Sequence, residues 1–175
     1  MYAALIVLSL TVPLAEARQA APQKDARTAR VENEIRHELL MLPYYGVFDL
    51  LTFSVERGGT VRLMGYTIRP TLKSDAERRV KGLPGVEQVV NEIEILPTSP
   101  ADDRIRLAVA RNIYRTETLE RYGFQTNPSI HIIVKNGRVM LEGVVDSESD
   151  KAVAGIKARE VGGVFEVTNN LRVER

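Results

Sequence analysis

The sequence contains no cysteine among its 175 residues. This absence excludes disulfide bridges, thiolate metal sites, a cysteine nucleophile and a lipid anchor on a modified cysteine. Histidine is scarce as well, since His37 and His131 are the only two. Neither has a recognisable partner for metal binding or for acid–base catalysis. The sequence therefore predicts no metal site and no catalytic histidine.

No segment carries a concentrated charge of one sign. The chain has 24 basic and 23 acidic residues, which gives a net charge of +1. Proteins that bind nucleic acid usually show a basic patch or stripe, and none is visible here. The serines lack a nucleophile-elbow pattern, and the paired acids Asp102 and Asp103 suit the start of a helix. We expect a protein that is not an enzyme, has no cofactor and does not bind nucleic acid.

Apolar runs long enough to cross a bilayer are missing too. The run from Ala3 to Ala15 has 13 residues, whereas a transmembrane helix needs about 20. The small-x-small segment Ala15-Glu16-Ala17 follows it. We expect residues 1–17 to be a signal peptide of a periplasmic or secreted protein, although no Lys or Arg precedes the run. An uncleaved membrane anchor is the alternative. Residues 18–27 are expected to form a flexible lead-in.

The chain does contain an internal repeat. Residues 86–95 and 164–173 share alternating apolar positions, and the offset of 78 positions holds upstream without a gap. The matched glycine and asparagine positions are Gly59, Gly65, Gly85 and Asn91 in the first copy, and Gly137, Gly143, Gly163 and Asn169 in the second. The chain is therefore a tandem duplication. Each copy has about 70 residues, near the lower limit for an independently stable domain.

The hydrophobic pattern predicts the element order αββαβ in both copies. Val31, Ile35 and Leu39 recur at helical spacing, which predicts a first helix that begins at Thr28 and that Pro43 ends. Alternating segments predict strands over 50–56, 61–65 and 86–95, and over 130–135, 139–145 and 164–173. The predicted N-caps of the other three helices are Thr71, Asp102 and Ser149.

These elements predict an α+β fold with two tandem domains. Domain 1 covers residues 28–96, a Pro-rich linker covers 97–101, and domain 2 covers 102–175. A small three-stranded mixed sheet covered by two helices is the simplest way to bury both helix stripes in each domain. Gly65 and Gly143 indicate close backbone approach within a strand. Asn91 and Asn169 are expected to bond backbone groups beside the last strand.

Two motifs carry a family resemblance. The second copy contains Asn136-Gly137-x-Val139-x-Leu141-x-Gly143-x-Val145 and Gly163-Val164-x-x-Val167-x-Asn169-x-Leu171-x-Val173. The first contains Gly59-x-Val61-x-Leu63-x-Gly65 and Gly85-Val86-x-x-Val89-x-Asn91-x-Ile93-x-Ile95. Together they resemble the BON domain family, named for bacterial osmotically inducible periplasmic proteins and nodulation proteins. The resemblance implies an envelope location, contact with phospholipid or envelope proteins, a role in osmotic or membrane stress tolerance, and no catalysis.

The candidate contact surface lies in the segments that follow the first helix of each copy. Residues 40–48 hold more apolar side chains than one helix stripe and one strand edge can bury, and residues 111–124 mix aromatic side chains with arginine. The predicted contact residues are Leu40, Met41, Tyr44, Tyr45, Phe48, Arg111, Arg115, Arg121, Tyr122 and Phe124. Such groups suit an anionic phospholipid surface or an envelope protein partner. The structural alternative is that they fill the space between the two domains.

Overall fold

A computed structural model describes residues 26–124 and 128–174 of the protein. Within these ranges the chain forms two successive αββαβ units, which confirms the predicted α+β class. The predicted signal peptide and residues 18–25 of the predicted lead-in lie outside the described residues. No helix within the described ranges is long and apolar enough to span a bilayer.

The first unit forms one mixed sheet with two helices. Its elements are α1 (Ala26–Leu40), β1 (Leu50–Val55), β2 (Thr60–Thr67), α2 (Pro70–Lys81), β3 (Gln88–Asn91) and β4 (Glu94–Ile95). Strand β1 pairs antiparallel with β2, while β3 and β4 both pair parallel with β2. The predicted third strand is thus present, but it is divided into two short segments.

The second unit repeats this topology. Its elements are α3 (Pro100–Tyr114), β5 (Ile130–Lys135), β6 (Arg138–Val145), α4 (Glu148–Arg159), β7 (Glu166–Asn169) and β8 (Arg172–Val173). Strand β5 pairs antiparallel with β6, and β7 and β8 pair parallel with β6. A short 3₁₀ turn, Glu120–Tyr122, has no counterpart after α1.

The repeated asparagines explain why the last strand is divided in each unit. The Asn91 side-chain amide donates to the Lys73 carbonyl (3.0 Å), and its oxygen accepts from the Ile93 amide (3.2 Å). Asn169 bonds the Lys151 carbonyl (2.7 Å) and the Leu171 amide (3.3 Å) in the same way. The predicted bonding to the backbone is confirmed. Each asparagine ties the interrupted strand to the helix that precedes it.

The repeated strand glycines are required by close backbone approach, as predicted. A Cβ atom on Gly65 would lie 2.0 Å from the Leu50 carbonyl oxygen, and one on Gly143 would lie 1.9 Å from that of Ser129. Both glycines also have a positive φ, at 116° and 122°. The turn between β5 and β6 is of type I′, since Asn136 and Gly137 have φ values of 54° and 74°.

The predicted helix starts need correction. Residues 26 and 27 are helical instead of forming part of a lead-in, and α1 ends at Leu40, before Pro43. Arg69 precedes α2, and Pro70 occupies its first turn, so Thr71 lies inside the helix. Ser99 and Ser147 cap α3 and α4, where their side chains accept from the amides three residues on. Asp102 and Ser149 are therefore not caps.

Each unit has its own hydrophobic core between sheet and helices. Ile35, Leu63 and Ile93 are fully buried in the first core, and Ile113, Leu141 and Leu171 in the second. Two first-unit side chains, Val47 and Phe48, pack against the second core instead of their own. The second core is therefore completed from outside its own unit.

Candidate functional site

The loop between α1 and β1, residues 41–49, lies against the second unit. The Ile132 amide in β5 donates to the Val47 carbonyl (2.8 Å), and Val47 and Phe48 pack on the second core. Lys135, also in β5, forms an ion pair with Glu94 of the first unit. We call this contact the inter-unit interface. Phe48, a predicted contact residue, is partly buried in it.

Tyr45, another predicted contact residue, belongs to the same interface. Its hydroxyl lies 3.4 Å from Nε2 of His131 in β5, and the two ring centroids are 5.5 Å apart. Burial raises the pKa of Tyr45 to about 12. The hydroxyl is therefore protonated near neutral pH and shares a hydrogen bond with Nε2, in which the imidazole tautomer decides the donor.

Asp49 holds the α1–β1 loop in place. Its buried carboxylate accepts from the Thr67 hydroxyl (2.7 Å), the Ile68 amide (3.1 Å) and the Gly46 amide (3.2 Å). A carboxylate with several such donors is stabilised in its buried position. The loop is thus attached to the end of β2 and presents a defined surface to β5.

The other predicted contact residues of this loop face solvent. Met41 is 64% exposed, Tyr44 is 76% exposed, and Leu40 is also accessible. The guanidinium of Arg69 lies 5.5 Å from the centre of the Tyr44 ring and donates to the Tyr44 carbonyl (2.8 Å). These side chains form a small apolar surface with one associated cation.

Tyr122, a predicted contact residue, is buried in the second unit, whereas Arg121 beside it is half exposed and ion-paired within that unit. Tyr122 is 3% exposed, and its hydroxyl bonds the buried carboxylate of Asp150 (2.9 Å). Arg121 bonds that carboxylate (2.6 Å) and Asp146 (3.0 Å). The Ser147 hydroxyl also donates to Asp150 (2.8 Å). These polar groups form hydrogen bonds with one another, and the bonds hold the start of α4 in place.

A row of exposed arginine and leucine side chains lies along α3. Arg104, Leu107, Arg111 and Arg115 follow one another at spacings of three and four residues and are all exposed, so they share one face of the helix. Leu107 is 54% exposed, and Phe165 across the adjoining groove is 84% exposed. We call Arg104, Leu107, Arg111, Arg115 and Phe165 the α3 face.

The groove beside the α3 face has a volume of about 780 Å³ and mainly apolar walls. Its one acidic side chain, Asp102, is buried, and its carboxylate accepts from the Asn136 and Gly137 amides (2.9 and 2.8 Å). Arg104, Arg111 and Arg115 form no ion pair with any residue in the described ranges. The face is therefore apolar with uncompensated positive charge.

Two of the predicted contact residues belong to the α3 face. Arg111 lines the groove, and Arg115 continues the row at the residue that follows the last residue of α3. Phe124, the last predicted contact residue, is 79% exposed. Leu107, Arg104 and Phe165 were not predicted. The sequence does contain a signal that Leu107 is exposed. Leu107 lies off the stripe of buried α3 residues and between two arginines.

A sequence profile of the BON domain matches residues 27–97 and 102–175. The chain belongs to the BON domain family. BON domains are generally non-enzymatic modules. Within residues 26–124 and 128–174, no three His, Asp or Glu side chains are grouped as metal ligands would be. No curated protein matched the sequence.

Among solved structures, the BON chain is similar to two of CdsD, a structural protein of the type III secretion system of Chlamydia trachomatis. One is of its C-terminal domain, with 14% identity, 82% of this chain and 96% of that chain covered, and a TM-score of 0.33. The other has 14% identity, covers 83% of this chain and 92% of that chain, and also has a TM-score of 0.33. These similarities are too distant to bear on the activity of the BON chain.

Proposed function

We propose that this protein is a non-enzymatic cell-envelope protein that docks on anionic phospholipid and contributes to tolerance of osmotic or membrane stress. The observation that carries the proposal is the α3 face, where Leu107 and Phe165 are exposed beside three arginines that pair with no acid in the described part of the chain. Apolar side chains enter the boundary between headgroups and acyl chains, and arginines bind the phosphates. Membership of the BON family supports an envelope location.

The geometry of the α3 face fits a flat anionic surface. Its arginines lie along one side of a helix, so they reach a bilayer together when α3 lies parallel to it. Each arginine contributes about 1 kcal/mol at an anionic leaflet. Three arginines and two apolar side chains give a reversible attachment that weakens as salt screens the charges. Met41, Tyr44 and Phe124 are also exposed, but they lie outside the α3 face.

Sedimentation of the purified chain with liposomes tests the proposal. We expect binding to vesicles rich in phosphatidylglycerol at low salt, weaker binding at high salt, and little binding to pure phosphatidylcholine. Arg111→Glu reverses one charge of the α3 face and is expected to weaken binding about tenfold or more. Arg78→Glu, which makes the same change on α2 of the first unit, is the matched control and should bind normally.

Apolar variants locate the docking surface. Leu107→Asp should lose most of the binding, whereas Met41→Asp should retain most of it, because the α1–β1 loop lies on the other unit. Loss with Met41→Asp and retention with Leu107→Asp would remove the α3 face as the docking surface. Binding that ignores anionic lipid would contradict the proposal itself.

An envelope protein partner is the second candidate. It is favoured by the exposed apolar group of Leu40, Met41 and Tyr44, which lies on a separate unit from the α3 face. Cross-linking in cells followed by identification of defined envelope proteins tests it. Tyr44→Ala is the suitable variant, because Tyr45 contributes to the inter-unit interface. Loss of a defined partner with unchanged liposome binding would support this candidate.

A further inference from the structure

His131 lies at the centre of the inter-unit interface. It is in β5, on the sheet face that also carries Ile133 and Lys135, because side chains alternate along a strand. Ile133 is 2% exposed although it belongs to neither core. The neighbouring Ile132 amide bonds the Val47 carbonyl, and Lys135 pairs with Glu94. His131 is therefore surrounded by contacts that join the two units.

The two nitrogens of the His131 ring have different surroundings. Nε2 lies 3.4 Å from the Tyr45 hydroxyl, while Nδ1 is buried and makes no hydrogen bond of normal geometry with any residue in the described part of the chain. A neutral imidazole tolerates this arrangement at the cost of one unpaired group. A protonated imidazole carries a proton on both nitrogens, so it places a positive charge among buried groups and makes Nε2 a donor.

Several groups face His131. They are the hydroxyl of Tyr45, the carboxylate and carbonyl of Asp49, the carbonyl of Gly46 and the carboxylate of Glu142 on β6. The carbonyls and carboxylates favour the charged ring, but desolvation outweighs them and lowers the pKa of His131 below 6.5. Asp49 already accepts three hydrogen bonds from its own unit, which limits what it offers His131.

We propose that His131 makes the inter-unit interface acid-sensitive, so that protonation of its imidazole separates the two BON units. Separation exposes the ring to water, where it regains its ordinary pKa. It also uncovers Tyr45, Val47, Phe48 and Ile133, an apolar surface that is covered at neutral pH. This inference stands independently of lipid binding by the α3 face.

The direction of the pH effect follows from proton linkage. The closed interface has a lowered His131 pKa and the open form an ordinary one, so the open form binds more protons as the pH falls. The closed interface is fully stable above about pH 6.5. Below that value it weakens up to about tenfold per pH unit, until the pH reaches the lower pKa of the closed form.

Hydrogen exchange of the Ile132 amide measures this opening, because its bond to the Val47 carbonyl crosses the interface. Protection factors, which correct for the intrinsic pH dependence of exchange, are measured by NMR on the full chain from pH 7.5 to 5. We expect the Ile132 protection factor to fall by up to about 30-fold over this range. The amide of Leu63, in the first core, should keep its protection.

The two histidines provide a matched pair of variants. His131→Gln keeps a polar side chain that does not titrate and is expected to abolish the acid-dependent fall. His37→Gln changes the exposed histidine of α1 and should leave the fall unchanged. An equal fall in His131→Gln, or a constant Ile132 protection factor in the unmodified chain, would overturn the proposal.

A titration of the unmodified protein gives an independent result if His131→Gln does not fold. NMR of the imidazole protons is expected to show His131 titrating below pH 6.5, at the pH where the fall in Ile132 protection ends. A His131 pKa at or above 6.5 contradicts the proposal. Parallel loss of protection at Leu63 contradicts it too, because the whole protein would then be unfolding instead of the interface opening.

Discussion

Asp102 shows how one side chain connects two elements of the second unit. Its carboxylate accepts from the Asn136 and Gly137 amides of the β5–β6 turn, while its own amide donates to the Ser99 hydroxyl. Asp102→Ala leaves the buried Gly137 amide and the partly buried Asn136 amide without their acceptor. We expect the free energy of unfolding to fall by about 2–3 kcal/mol, measured by urea denaturation.

The control for this change is Asp75→Ala, which removes a carboxylate paired with the exposed Arg78 on α2. Surface pairs of this kind contribute little, so we expect a change within about 0.5 kcal/mol. Equal effects of the two substitutions would show that the Asp102 bonds to the turn are not important for stability.

The same residue shows where sequence reasoning fails at this scale. Ser99 and Asp102, like Ser147 and Asp150, have the three-residue spacing of a capping box, so either partner could be taken for the cap. The structure uses the serine as cap and directs each carboxylate to a distant group. That choice depends on Gly137 in one case and on Tyr122 in the other, and neither contact is visible in local sequence.

At the scale of elements, the order of helices and strands was predictable because the same hydrophobic pattern occurs twice in the chain. The strand glycines and the asparagines were assigned correctly because backbone geometry alone requires them. The division of the last strand was not predicted. Alternating apolar residues continue through it, and the interruption comes from a hydrogen bond between the asparagine and the amide two residues on.

Gly143→Ala tests the close approach of β5 and β6. An added Cβ would meet the Ser129 carbonyl at 1.9 Å, and the positive φ of Gly143 adds strain. We expect the free energy of unfolding to fall by at least about 2 kcal/mol. Thermal or urea denaturation followed by circular dichroism measures the loss.

Gly162→Ala is the matched control, because no atom lies within 4 Å of the added Cβ and no positive φ opposes it. It should leave stability nearly unchanged or raise it slightly by reducing the freedom of the unfolded chain. If Gly143→Ala behaves like Gly162→Ala, the glycine is not required for strand pairing.

At the scale of the whole molecule, the two units are coupled by the α1–β1 loop. Phe48 belongs to the first unit but packs against the second core. Phe48→Ala removes part of that packing, and we expect a loss of about 2 kcal/mol, less than for a fully buried phenylalanine. The loss should appear as faster hydrogen exchange of core amides in the second unit, for example Leu141.

Tyr44→Ala is the control for this coupling, since the ring is 76% exposed and four residues away in the same loop. It should leave exchange in the second unit unchanged. Faster exchange confined to the first unit after Phe48→Ala would contradict the coupling.

The candidate site was only partly predictable, because the two units pack against each other through the α1–β1 loop. Composition identified the apolar and basic segments, but it could not tell which side chains face the other unit. Tyr45 and Phe48 lie at the inter-unit interface and Tyr122 lies inside the second unit, whereas Met41, Tyr44 and Phe124 face solvent. Periodicity within one segment carries no information about contacts between residues far apart in the sequence, such as Tyr45 and His131, which are 86 positions apart.

The Ile132 amide donates its hydrogen bond to the Val47 carbonyl, which belongs to the preceding unit. A second unit produced by itself would present part of its outer strand as a bare edge, which invites pairing with another chain. The two units are similar in sequence, but they are not interchangeable, because the first unit supplies a hydrogen-bond acceptor to the outer strand of the second.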